Sequence, residues 1–183
     1  MTKGAVTMNK SKAKKLVASV VFGTSLMVGA YAFAGSEKAD LKTDNVTFFG
    51  TPTSSISSSV SIPKQYNQLW ISGTVPPVLN KNGTTIYERY GDTETQAIGI
   101  FNNLKSQLEA KGLSLKDVTY LRVYITPDAN KGNKQDYQGF FNAYAKFFNT
   151  EENPVKTARS TVGVDSLVNS DWLIEIEAFV AYK

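Results

Sequence analysis

The stretch TETQAIGIFNNLKSQLEAKGLSLKDVTYLRVYI, residues 93–125, decides how this chain folds. In its first half Ala97, Phe101, Leu104 and Leu108 recur at intervals of three and four, one apolar stripe that predicts an amphipathic helix. Thr93-x-x-Gln96 matches a capping box, and Asp92 and Glu94 suit the positive end of the helix dipole. Gly112 is placed to stop the helix. The second half, Val118 to Ile125, is rich in β-branched and aromatic residues and predicts a strand ended by Pro127.

Working outward, a second helix is expected from about Lys134 to Phe148, with Tyr137, Phe140, Phe141, Tyr144, Phe147 and Phe148 on one face. An aromatic stripe at helical spacing is more often core than a stacking platform for bases. Lys156 to Val164 and Trp172 to Tyr182 read as two final strands forming a hairpin, with the turn at Asn169-Ser170-Asp171. Upstream, Gln68 to Gly73 reads as a strand, Asn82-Gly83 as a turn, and Val46 to Phe49 as a short β-prone run. Thr53 to Ser61 is serine-rich and has the composition of a linker, although Val60 and Ile62 alternate with serines as in a strand. The order β, β, α, β, α, β, β predicts a single α+β domain over residues 35–183, a mixed sheet with both helices on one face.

The first 34 residues read differently. Lys3, Lys10, Lys12, Lys14 and Lys15 come without an acidic residue, and Leu16 to Ala34 carries no charge and ends Ala-Tyr-Ala-Phe-Ala before Gly35. This is the layout of a secretory signal over residues 1–34, cleaved after Ala34, with a mobile leader at 35–45. Met8 is an alternative start, and an uncleaved membrane anchor is the alternative reading of the segment. The expectation is a periplasmic or secreted protein that meets the membrane only in transit. Without the signal, 15 basic residues face 16 acidic ones, a net charge of −1, so the whole-chain excess of +4 belongs to the export segment. The electrostatic footprint of a nucleic-acid binder goes with it.

The chain has no histidine and no cysteine, which removes Ser-His-Asp and Cys-His nucleophile systems and the common zinc sites. No phosphate-binding glycine loop is present, since Gly91-Asp92-Thr93 lacks the spacing and the lysine. The remaining chemistry concentrates near the C-terminus. Arg159 sits in an otherwise uncharged run, Thr157 to Val164, and suits either a surface ion pair or a bidentate clamp for a small carboxylate. In the last strand Leu173, Glu175, Glu177 and Phe179 share one face. The glutamates either form a solvated outer face or, if another subunit covers them, are partly desolvated carboxylates fit to handle a proton.

From Leu69 to the end the chain resembles the Rid family, also called YjgF or L-PSP-like proteins. The resemblance rests on Ile71-Ser72-Gly73, Gln96 with its helix, Ala110-x-Gly112-Leu113-x-x-x-Asp117-Val118 and Val123-Tyr124-Ile125. It continues through Phe140-Phe141-Asn142-x-Tyr144-x-x-Phe147-Phe148, Ala158-Arg159-Ser160 and Ile174-Glu175-Ile176-Glu177-Ala178. It implies a chorismate-mutase-like α+β fold assembled as a homotrimer with clefts between subunits. It also implies hydrolysis of reactive enamine and 2-imino acids to 2-keto acids and ammonia, with no metal or organic cofactor. By position, Arg159 would clamp the substrate carboxylate, Glu175 would orient or activate water, and Ser72 and Gly73 would line the cleft. Ser59 and Thr161 stand at two further wall positions, where the archetypal branch has a tyrosine and often a cysteine. A non-catalytic trimer that binds a small metabolite is the alternative function. Endoribonuclease action, attached to some members, is opposed by the near-zero charge.

Overall fold

The computed structural model describes residues 43–183, so the expected signal segment and the leader up to residue 42 lie outside the described residues. Strands β1 (Thr47–Phe49), β2 (Ser59–Ser61) and β3 (Asn67–Thr74) come first. Helices α1 (Ile86–Tyr90) and α2 (Thr93–Glu109) follow, then β4 (Val118–Ile125) and the short pair β5 (Pro127–Asp128) and β6 (Lys134–Gln135). Helix α3 (Tyr137–Phe147) leads to β7 (Ala158–Gly163) and β8 (Ile174–Tyr182).

The main sheet has the order β3-β8-β4-β7, antiparallel except for the parallel β4–β7 pair. It is therefore mixed, as expected, but the last two strands are not a hairpin. β4 lies between them, with Leu121 opposite Arg159 on one side and Ala178 on the other. β4 takes one of the two interior positions: Val118, Leu121, Val123 and Ile125 are wholly buried, while Arg122 on its other face is exposed.

One face of the sheet carries the core. Ala97, Ile100, Phe101, Leu104 and Leu108 of α2 join Phe140, Ala143 and Tyr144 of α3 over the β4 residues and Ile174, Ile176, Ala178 and Val180 of β8. Burying each large side chain stabilises by roughly 1.5–3 kcal/mol, so this stripe holds α2 against the sheet more firmly than helix propensity does. Gly112 ends the helix as expected: it adopts φ +72, and Leu113 N–H returns to Leu108 C=O at 2.9 Å.

The capping box does not form at Thr93 and Gln96. Asp92 is the cap, its Oδ1 accepting from Thr95 N–H at 2.9 Å. Gln96 is buried and ties the chain together elsewhere. Its Nε2 donates to Gly91 C=O at 3.2 Å and Asp171 C=O at 3.0 Å, and its Oε1 accepts from Leu173 N–H at 2.8 Å. Gln96→Leu strands those three backbone groups and is expected to destabilise the fold by about 2–4 kcal/mol. Urea unfolding reads this, and a loss under about 0.5 kcal/mol would show the contacts to be dispensable.

A capping box does occur one helix earlier, between Thr85 and Glu88 at the start of α1. The second helix starts at Tyr137 rather than Lys134, because Lys134–Gln135 pair with Pro127–Asp128 and Asp136 caps α3 through Gly139 N–H at 3.0 Å. The serine-rich run is not a linker. Its end, β2, pairs with β1, Ser58 Oγ donates to Phe49 C=O at 3.1 Å, and buried Ser57 bridges to Ala158 on the edge of β7. Short hydroxyl side chains satisfy backbone groups that a linker would leave to water.

Candidate functional site

Strand parity places the two charged candidates. In the parallel β4–β7 ladder Arg159, Thr161 and Gly163 align with Leu121, Val123 and Ile125, and so face the helices. In the β4–β8 ladder Glu175 and Glu177 align with Tyr124 and Arg122, on the opposite face. Arg159 and Glu175 thus lie two strands apart on opposite faces of one sheet, and a single chain does not bring them together.

On the helix face the Arg159 guanidinium rests in an aromatic cradle supplied by α3. Its carbon lies 4.9 Å from the Phe140 ring centre, 5.0 Å from Phe141 and 4.6 Å from Tyr144. Stacking of this kind stabilises a cation by roughly 0.5–2 kcal/mol each at best, but supplies no hydrogen-bond acceptor. The Nη1 atom is shut off from solvent without a partner, as is the Thr161 hydroxyl two residues along the same face. None of the ion pairs among the described residues includes Arg159. Burial pulls its pKa below the usual arginine value, an effect the Tyr144 hydroxyl partly opposes, and the group remains charged. A cavity of about 370 Å³ opens beside it, lined by Ser55, Phe141, Tyr144, Ala145, Phe148 and Asn149.

The aromatic stripe is therefore only partly core. Phe140, Tyr144 and Phe148 are buried, whereas Tyr137 and Phe141 are 38% and 39% exposed. The six do share one face, within about 120° of arc, so periodicity alone does not mark which of them stay exposed.

On the outer face Glu175 is half-buried. Burial raises its pKa, and the neighbouring Glu177 carboxylate adds to the shift. Glu177 is paired, accepting from Arg122 Nη1 at 2.9 Å, while Glu175 takes part in no ion pair among the described residues. A β-bulge interrupts the β3–β8 ladder between Ile71 and Thr74, at Ser72 and Gly73. A methyl group on Gly73 would overlap Glu175 Oε1, so the glycine makes room for the carboxylate. Leu173 does not join that face. It precedes β8, is buried, and gives its N–H to Gln96.

Ser59 falls in a third place. It lines a cavity of about 460 Å³ on the outer face with Trp70, Tyr120 and Phe179, four residues along β8 from Glu175. Trp70 is 70% exposed there and stacks edge-on against Phe179 at 5.0 Å. Among the described residues no group of three or more acidic, His or Cys side chains is placed to hold a metal ion.

A mixed four-stranded sheet backed on one face by a helix pair is an α+β fold, with Arg159 on its edge strand. The family model described as Endoribonuclease L-PSP matches residues 53–182, and the chain belongs to that family, the Rid or YjgF proteins. It is 38% identical over 120 residues to a RutC family protein of Pyrococcus horikoshii, covering 66% of this chain and 82% of that one. It is 34% identical over 127 residues to the 3-aminoacrylate deaminase RutC of Acinetobacter baylyi, covering 69% and 88%. Among solved structures it is similar to the Rid-family YyfB of Yersinia pestis, with TM-score 0.56, 26% identity and coverage of 75% and 99%. It is also similar to E. coli TdcF, solved with bound serine, with TM-score 0.50, 29% identity and coverage of 67% and 85%.

Proposed function

We propose that this chain hydrolyses small reactive 2-imino and enamine acids to 2-keto acids and ammonia, as an exported homotrimer whose sites lie between subunits. The observation that carries the reading is the unpaired guanidinium at Arg159, sealed at Nη1 and flanked by the unpaired Thr161 hydroxyl. A buried charge without a partner is costly to a fold unless a ligand completes it, and a carboxylate fits its geometry. Because Glu175 faces the other way, it meets that carboxylate only when a second copy presents its own sheet face. The exposed Trp70 on that face supports such an association.

The chemistry then divides between two subunits. Arg159 holds the carboxylate, which orients C2 of the imine. Glu175 accepts a proton from water as the oxygen bonds to C2, and returns it to the nitrogen that receives the C=N π electrons, giving a carbinolamine. The hydroxyl proton then passes through Glu175 to the amino group as the C–N bond breaks and the C–O bond becomes the keto group, so imine plus water gives keto acid plus ammonia. A raised carboxylate pKa suits this proton acceptor. The deaminase name of the A. baylyi relative supports the reading.

Purified protein should accelerate ammonia release from imino acids generated in place by an amino-acid oxidase. No acceleration over the buffer rate would end the deaminase proposal. Gly73→Ala should keep the thermal midpoint within a few degrees, since the atom displaced is the free end of a side chain, yet lower turnover at least tenfold by moving Glu175. Export is checked by the intact mass of protein from the producing cell, which should correspond to a chain starting at Gly35.

A second reading, a non-catalytic binder of a small carboxylate, is favoured by the bound serine in TdcF. Thermal stabilisation by amino or keto acids without any turnover would select it.

A further inference from the structure

We propose that the site built on Arg159 selects 2-imino acids carrying a large apolar side chain, aromatic above all, with Phe141, Tyr144 and Phe148 as the wall that receives it. The inference rests on the deaminase reading and names its substrate class. Its basis is the cavity that Arg159 itself lines. That space is about 370 Å³, at the lower end of the roughly 300–1,000 Å³ typical of small-molecule sites, which suits one ring-bearing acid. Three of its seven lining residues are aromatic. Phe148 is wholly buried, Tyr144 is 2% exposed, and Phe141 stands 39% exposed at the lip. Ser55 and Asn149 complete the lining, and with Arg159 engaged by the carboxylate no carboxylate or lysine is left there to pair with a charged side chain.

The arrangement also keeps the carboxylate and side-chain subsites together. The ring that stacks on the guanidinium at 5.0 Å, Phe141, is the ring that borders the cavity. An acid clamped by Arg159 therefore directs its side chain along the α3 face, against aromatic carbon. An alanine-derived imine would leave that space to water, whereas a phenylalanine-derived imine fills it. Hydrophobic pockets discriminate by about 10- to 200-fold for each methylene-sized difference, so a ring gives a preference at the upper part of that range or beyond.

The measurement compares kcat/KM for imines generated by amino-acid oxidase from alanine, leucine and phenylalanine, using the wild-type protein and Ala145→Leu. Ala145 is an exposed residue of α3 that lines the cavity, so a leucine there fills the space without disturbing the core. The expected result is a phenylalanine-to-alanine ratio of at least about tenfold in the wild type, falling by at least tenfold in Ala145→Leu. The ratio is internal to each protein, so a partly unfolded variant does not distort it. Equal acceleration of all three imines, or a ratio unmoved by Ala145→Leu, overturns the selectivity while leaving the deaminase reading in place. No acceleration of any imine overturns both.

Discussion

Arg159→Met is expected to lower kcat/KM for imino-acid hydrolysis by about 10²- to 10³-fold while leaving the protein as stable as before, or more so. The kinetic loss corresponds to roughly 3–4 kcal/mol, the range for removing one partner of a desolvated charge pair. The stability expectation follows from what the guanidinium does in the unliganded fold. It touches three rings within 5.0 Å but has a sealed Nη1 without an acceptor. Loss of the ring contacts costs about 0.5–2 kcal/mol, and relief of the stranded cation offsets it. Methionine is unbranched and keeps its sulfur and methylenes against Phe140 and Tyr144. A thermal melt beside the kinetic assay separates the outcomes. If activity survives, Arg159 is not the clamp; if activity and fold are lost together, its role is structural.

Glu175→Gln should lower kcat by about 10²- to 10⁴-fold with little change in KM, the signature of a lost general base. In the wild type the rate should rise with pH through an ionisation above the usual carboxylate range, because burial and then Glu177 hold the proton on Glu175. The stability consequence has a definite sign. A carboxyl whose folded pKa is raised stabilises most below its unfolded value, and that contribution is lost as pH rises through the folded value. Glu175→Gln should therefore raise the melting temperature at neutral pH, with the gain fading in acid. Mixing the inactive Arg159→Met and Glu175→Gln proteins after gentle dissociation should restore part of the activity, since some mixed interfaces hold an intact pair. Failure of the mixture to recover any turnover, with exchange confirmed by mass, would argue against a site shared between subunits.

Sequence and structure agree best where the signal is local. The α2 stripe at Ala97, Phe101, Leu104 and Leu108, the Gly112 stop and the β4 run were all legible, because each depends on neighbours within one or two turns. Helix α1 escaped notice because five residues are too few to show a period, although Thr85-x-x-Glu88 was a readable start signal. Gln96 misled for the opposite reason. Its spacing from Thr93 fits a cap, but its amide reaches Asp171 and Leu173, partners that no local pattern reveals.

By itself the sequence determined the α+β class, the family, the order of the long helices and strands, and the candidate pair Arg159 and Glu175. It did so because apolar periodicity, turn residues and motif spacing are written along the chain. Only the tertiary structure decided how the strands lie beside one another. Inserting β4 between β7 and β8 changed a supposed hairpin into two strands that never touch. Alternation along a strand shows which side chains share a face, but pairing decides which face meets the core, and pairing is a contact between residues far apart in sequence. That is why Arg159 turns toward the α3 aromatics and Glu175 turns away. What looked like two charges on neighbouring strands became two charges on opposite faces of one sheet.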